Sequence, residues 1–99
     1  MKALFVKTST SGTEIINLDT VSNISIEAVD GSGYQPSLCF TMAGGAEVRF
    51  YLDKGTVESD VLPRLMQAMV PLYEGRMNNV MGLKLDLDLT PLQRGVERF

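Results

Sequence analysis

The stretch Ser37-Leu-Cys-Phe-Thr-Met42, with the residues that follow it, decides the fold. It leads through Ala43-Gly-Gly-Ala46 into Glu47-Val-Arg-Phe-Tyr-Leu52, and apolar and polar residues alternate on both sides of the glycines. That pattern indicates two strands with one buried face each. From Val57 to Tyr73 the apolar spacing becomes that of an amphipathic helix. A sheet with a helix packed on it is the simplest arrangement that buries both apolar surfaces.

The loop between these two strands is predicted to contain an odd number of residues. The apolar residues of the two strands share a face if Phe40 lies opposite Phe50. The same register places Met42 opposite Val48. A two-residue turn at Gly44-Gly45 would send the apolar residues of the two strands to opposite faces. We therefore predict a loop of three or five residues.

Three further strands are predicted on the amino-terminal side. They cover residues 3–8, 14–18 and 21–29, where apolar residues recur at every second position. Pairing Val6 with Ile16 puts the apolar residues of the first two strands on one face and leaves a five-residue loop, Ser9 to Thr13. The segment from Leu18 to Ile24 is predicted to hold a tight turn or one helical turn.

The helix is predicted to cover about residues 58–73. Three residues can cap its start: Thr56, Ser59 and Asp60. Pro63 fits within the first helical turn, where its missing N–H leaves no hydrogen bond unmade. Pro71 is expected to kink or end the helix, and Gly75 is a suitable stop.

The carboxy-terminal part is predicted to be an extension of a compact domain. Leu83 to Leu89 alternates leucine with charged residues and predicts a strand with one apolar face. Thr90-Pro-Leu-Gln93 resembles a helix start, so a short terminal helix is predicted over 91–98. Residues 1–75 would form a compact ββββα domain. Residues 76–99 would dock on a sheet edge of the same chain or of a neighbouring subunit.

The predicted fold class is therefore α+β. A small antiparallel sheet of four to five strands carries one amphipathic helix, 58–73, on one face. The extension adds the strand 83–89 and the short terminal helix 91–98. A chain of 99 residues is the length of one domain.

Composition narrows the classes of function. Hydrophobic residues make up 44% of the chain and charged residues 21%, which is too apolar for a disordered protein. The net charge of −3 disfavours nucleic acid and anionic membranes as partners, because both attract clustered Lys and Arg.

No apolar run reaches the roughly 20 residues of a membrane span. The apolar part of Met1 to Lys7 is too short for a signal peptide. We expect a cytoplasmic protein, or a component of a phage particle if virally encoded.

No residue is predicted to be catalytic, to bind a cofactor or to ligate a metal. The chain has no histidine, the commonest general base near neutral pH. Cys39, the single cysteine, lies among apolar neighbours and is interpreted as a half-buried structural thiol. Asp86 and Asp88 share a strand face and would need a third carboxylate, such as Asp53, to hold a divalent cation. A solvated strand face is the preferred interpretation.

Two features favour self-association. The sheet face that the helix does not cover is mixed, with Phe5, Ile15 and Tyr51 among polar residues. The amphipathic strand 83–89 has no hairpin partner in sequence, and such a strand can join a sheet edge. The predicted contact residues are Tyr34, Met77, Met81, Leu83, Leu85, Leu87, Leu89 and Phe99.

The first functional hypothesis is a non-enzymatic, self-associating structural or assembly protein, of the kind that bacteria and phages encode. Its partners would be copies of itself or other proteins of an assembly. The alternative is a small nucleic-acid-binding or regulatory adaptor module of ββββα type, which rests on analogy of fold alone. A metal-dependent enzyme that uses Asp53, Asp86 or Glu47 is the least favoured.

Overall fold

The computed structural model describes residues 2–9, 12–27, 35–73 and 83–92. It shows the predicted α+β class, with two three-stranded sheets and a helix of 11 residues packed against them. The strands are β1 (Lys2–Lys7), β2 (Thr13–Asn17), β3 (Val21–Glu27), β4 (Ser37–Met42), β5 (Glu47–Tyr51) and β6 (Leu83–Asp88). The helices are α1 (Glu58–Ala68) and the short α2 (Val70–Tyr73). None of them is long and apolar enough to cross a membrane within the described part of the chain.

The strands form two sheets, whereas the sequence predicted one antiparallel sheet of four to five strands. The first sheet has the order β2-β1-β6 and the second the order β3-β4-β5. The chain changes sheet at Leu18–Thr20, which forms a 3-10 turn. The side chain of Asn17 accepts a hydrogen bond from the N–H of Asp19 (3.1 Å), and the hydroxyl of Thr20 donates to the carbonyl of Asn17 (2.9 Å). This turn directs β3 away from β2.

The carboxy-terminal strand β6 lies beside β1 of the same chain. The two strands are parallel, and their register runs from Lys2 opposite Leu83 to Lys7 opposite Asp88. Of the two docking arrangements left open by the sequence, the structure has the one within the chain. A parallel pair needs a long crossover, and here the chain between β1 and β6 provides it.

Both predicted registers are wrong by two residues, although the apolar residues of each pair of strands share a face as predicted. Ile16 lies opposite Leu4 instead of Val6, and Phe40 lies opposite Val48 instead of Phe50. A shift of two residues keeps each side chain on its face, so the apolar pattern alone does not distinguish the two registers.

The predicted odd-length loop between β4 and β5 is confirmed, and it contains three residues, 43–45. The N–H of Met42 donates to the carbonyl of Ala46 (2.7 Å), and the N–H of Gly45 donates to the carbonyl of Met42 (2.9 Å). Gly45 has a φ of +92°, in the left-handed region that favours glycine.

Replacing Gly45 with alanine is expected to destabilise the protein by about 1–2 kcal/mol, because a β-carbon is strained at that φ. Gly44→Ala is the matched control, since a β-carbon there meets no atom within 4 Å and φ is not positive. The control should be neutral or stabilising by up to about 1 kcal/mol. Urea unfolding of both variants measures the difference. Equal stabilities would show that the loop does not require glycine at position 45.

Helix α1 begins inside the predicted range, but none of the three predicted capping residues is its N-cap. The N-cap is Val57, whose N–H donates to the carboxylate of Asp60 (3.0 Å). Pro63 lies in the second helical turn and not in the first. The helix ends at Ala68, before Pro71, which has no N–H to donate. The chain then forms α2, so the predicted helix 58–73 is interrupted at Met69.

One hydrophobic core joins both sheets and α1. Phe40 is a member of this core with no exposed surface, and its ring packs edge-to-face on Phe50 with centroids 5.9 Å apart. Helix α1 contributes Val61 and Leu65. The buried members from the first sheet are Leu4, Val6, Ile16, Leu85 and Leu87, joined by Leu89 just after β6.

Candidate functional site

The predicted contact residues fall into two groups. Four of them lie outside the described residues: Tyr34, Met77, Met81 and Phe99. Leu83 opens β6 and is paired with Lys2. The other three, Leu85, Leu87 and Leu89, are buried in the core of their own chain. Those leucines would contact a neighbouring subunit only if β6 were exchanged between copies, and the contact role of the set stays a prediction.

Strand β2 is an edge of the first sheet, and the direction of its backbone groups follows from two hydrogen bonds. The N–H of Thr8 donates to the carbonyl of Gly12 (2.8 Å), which makes residues 8 and 12 a hydrogen-bonded pair. The N–H of Leu89 donates to the carbonyl of Lys7 (2.9 Å), so Lys7 is directed toward β6.

Hydrogen-bonded and non-bonded pairs alternate along an antiparallel ladder. The backbone groups of Glu14 and Ile16 are therefore directed toward β1. Those of Thr13, Ile15 and Asn17 are directed away from the sheet, and among the described residues no strand pairs with this side of β2. The edge thus presents backbone donors and acceptors that a further strand can use.

The outer face of this edge is apolar at its centre and carries no charge. Ile15 is 58% exposed, and it lies opposite the partly exposed Phe5 on β1. Thr13 and Asn17, on either side of Ile15, are uncharged. The sequence places Ile15 on the uncovered face, and the signal was the pair Ile15-Ile16, because consecutive residues of a strand point to opposite faces. That β2 is an edge was not predicted.

The outer face of the second sheet carries a charged network centred on Arg49. Its guanidinium donates to Glu27, to the hydroxyl of Ser37 (2.9 Å) and to Glu47 (3.3 Å). The hydrogen bonds that Arg49 donates to Glu27 and Glu47 raise the pKa of Arg49 above its usual value. Cys39, directly opposite Arg49, is 1% exposed and so more deeply buried than predicted. This face is a set of satisfied ion pairs over a thiol that solvent does not reach.

The two carboxylates of β6 are solvated, and each is engaged locally. Asp86 is 73% exposed, and its Oδ1 lies 4.0 Å from Nζ of Lys84. The Oδ1 of Asp88 accepts hydrogen bonds from the hydroxyl of Thr90 (2.6 Å) and from its backbone N–H (2.9 Å). Within the described parts of the chain, no group of three acidic or cysteine side chains is placed to hold a metal ion.

The start of the predicted terminal helix is a 3-10 turn, Thr90–Leu92, and the remainder of that prediction lies outside the described residues. Asp88 lies two residues before Thr90, and its carboxylate accepts a hydrogen bond from the first N–H of this turn. The hydroxyl of Thr90, followed by its N–H, lowers the pKa of Asp88 below the usual value.

Thr90→Ala is expected to raise the pKa of Asp88 toward its unperturbed value of about 3.9. Because the folded pKa is lowered, the stabilisation by this carboxylate is fully present above about pH 3.9 and is lost as the pH falls through the folded pKa. NMR titration of the carboxyl carbon measures the shift, and Thr90→Ser, which keeps the hydroxyl, is the matched control. Identical titration of Asp88 in the alanine variant and the wild type would contradict the assignment.

A shallow cleft of about 610 Å³ lies where β1, β3 and the end of α1 meet. Its lining includes Leu18, Ile24, Met69 and Leu72, with Lys2 and Asp19 as charged members. The carboxylate of Asp19 accepts the backbone N–H of Lys2 (3.2 Å), so this acidic group is already engaged. Ser22 and Asn23 add polar groups to the lining, but a cleft this shallow encloses little of the surface of a small ligand.

Within the described surface, the uncharged edge formed by β2 is the feature best suited to pairing with a further strand. Other exposed apolar side chains are Tyr51 on β5 and Val57, Leu62 and Met66 at α1. Comparison of the chain with known protein families, with curated proteins and with solved structures finds no match.

Proposed function

We propose that this protein is a non-enzymatic, self-associating component of a protein assembly, and that its partner is a copy of itself. The observation that supports the proposal is the exposed Ile15 at the centre of an uncharged edge strand. Exposed edges pair readily with other strands, and proteins usually protect them with charged residues.

The opposite edge of the same sheet provides the contrast. Strand β6 carries Lys84, Asp86 and Asp88 on its outer face, so charge protects that edge. Strand β2 has charge only at Glu14, whose side chain is on the other face. The difference between the two edges supports β2 as a surface that association covers.

Sedimentation velocity and light scattering over a range of concentrations test the proposal. We expect a concentration-dependent species with at least twice the 10.9 kDa mass of one chain. The apolar surface that association buries supplies the free energy. A single 10.9 kDa species at every concentration would overturn the proposed function.

A further inference from the structure

We infer that two copies of this chain join through β2, antiparallel across a twofold axis at Ile15, so that their first sheets form one six-stranded sheet. The inference rests on the proposed function and specifies the surface and the register of the association. A twofold interface uses the same surface patch on both subunits.

The backbone determines which residues would form hydrogen-bonded pairs. The groups directed outward belong to Thr13, Ile15 and Asn17, and Ile15 is the middle residue of the five in β2. Two such strands, placed antiparallel about Ile15, bring Ile15 opposite Ile15 of the second copy. Thr13 then lies opposite Asn17 at both ends. Every outward-directed N–H of these pairs thus faces a carbonyl of the other strand. The carbonyl of Asn17 also accepts the hydroxyl of Thr20 (2.9 Å), so in the dimer it would accept two hydrogen bonds.

The side chains are compatible with this register. On the outer face, the two Ile15 side chains meet, and each lies beside Phe5, whose ring has the ammonium of Lys84 4.8 Å from its centroid. The polar pairs Thr13–Asn17 lie at the ends, and no like charges are directly opposed on that face. On the other face, the two Glu14 carboxylates are diagonal neighbours at a backbone separation of about 7–8 Å, which is less unfavourable than direct opposition.

The other edge strands are less suited to pairing with themselves. Strand β6 presents three charged side chains, as described above. Strand β5 carries the Arg49 network, and just beyond its end the N–H of Asp53 donates to the carbonyl of Leu92 (2.8 Å). Strand β3 has an irregular register between Val21 and Asn23, and it packs against α1. A second copy that pairs through β2 therefore meets the fewest opposing charges.

Cysteine cross-linking tests the register. In the inferred dimer the two α-carbons at position 15 are about 5.5 Å apart, within the range that a disulfide bridges. Ile15→Cys should give a covalent dimer on mild oxidation. Thr13→Cys, on the same exposed edge, is the matched control, because its two copies would lie about 14 Å apart along the strands. The native Cys39 is buried and should not react.

A charge variant tests the same surface without oxidation. Ile15→Lys places two like charges in direct opposition at the axis, and it should weaken the dimer about tenfold or more in sedimentation equilibrium. Leu62→Lys adds the same charge at a 39% exposed position on α1 and should leave association unchanged. Circular dichroism verifies that both variants fold.

The possible results distinguish a failure of the inferred β2 interface from a failure of the proposed self-association. Selective cross-linking at position 15, together with a dimer weakened by Ile15→Lys, supports the inference. An oligomer that cross-links equally at positions 13 and 15, or that tolerates Ile15→Lys, overturns the β2 interface and leaves self-association standing. A wild type that is monomeric at every concentration overturns both.

Discussion

Phe40→Ala is expected to lower the free energy of unfolding by about 3–5 kcal/mol. Phe40 has no exposed surface, so the truncation leaves a cavity in the hydrophobic core that both sheets share. It also removes the edge-to-face contact with Phe50. A domain of this size is usually stable by only about 5–15 kcal/mol. The single change should therefore leave the protein close to unfolding.

Urea unfolding followed by circular dichroism measures this loss. Leu62→Ala, at a partly exposed position on α1, is the control and should cost about 1 kcal/mol or less. Phe50→Ala and the double variant complete a cycle, and the coupling between the two rings should be about 0.5–1.5 kcal/mol. A Phe40→Ala variant as stable as the control would mean that the rings do not pack as the structure shows.

The position of Phe40 shows which part of the fold the local pattern determines. Alternation along β4 placed Leu38 and Phe40 on the buried face, and both have no exposed surface. The same pattern could not determine the partner of Phe40, because a shift of two residues leaves every face unchanged. The hydrogen bonds of the three-residue loop determine the register, and they depend on the left-handed backbone at Gly45.

The assembly of strands into sheets depends on contacts between residues far apart in sequence. The sequence predicted that the strands on either side of Leu18–Thr20 belong to one sheet. The 3-10 turn there directs them into different sheets. The edge position of β2, and with it the candidate surface at Ile15, follows from that change of direction. The sequence showed that Ile15 faces outward, but not that its strand is an edge.

The alternation of leucines in β6 illustrates the same limit. An apolar strand face predicts that other residues pack on it. It does not specify whether those residues belong to the same chain or to a neighbouring one. The structure pairs β6 with β1 of the same chain, and Leu87 lies beside the fully buried Val6. Three of the side chains predicted for a contact between subunits, Leu85, Leu87 and Leu89, are therefore also core residues of one subunit.

Leu87→Ala is accordingly expected to destabilise the protein by about 2–5 kcal/mol, because the side chain is 2% exposed and its removal leaves a cavity. Asp86→Ala, one residue earlier and directed to solvent, is the matched control and should change stability by about 0.5 kcal/mol or less. Urea unfolding at one fixed protein concentration compares the two variants.

The same measurement tests the predicted division into a compact domain, 1–75, and an extension, 76–99. Leu85, Leu87 and Leu89 together bury enough apolar surface that losing all three would remove most of the stability of a typical domain. A chain ending at residue 75 should then lose its cooperative unfolding transition.

If Leu87→Ala were as stable as Asp86→Ala and the shortened chain still unfolded cooperatively, β6 would be an accessory strand. Residues 1–75 would then be the folding unit, and β6 would be free to dock on a neighbouring copy.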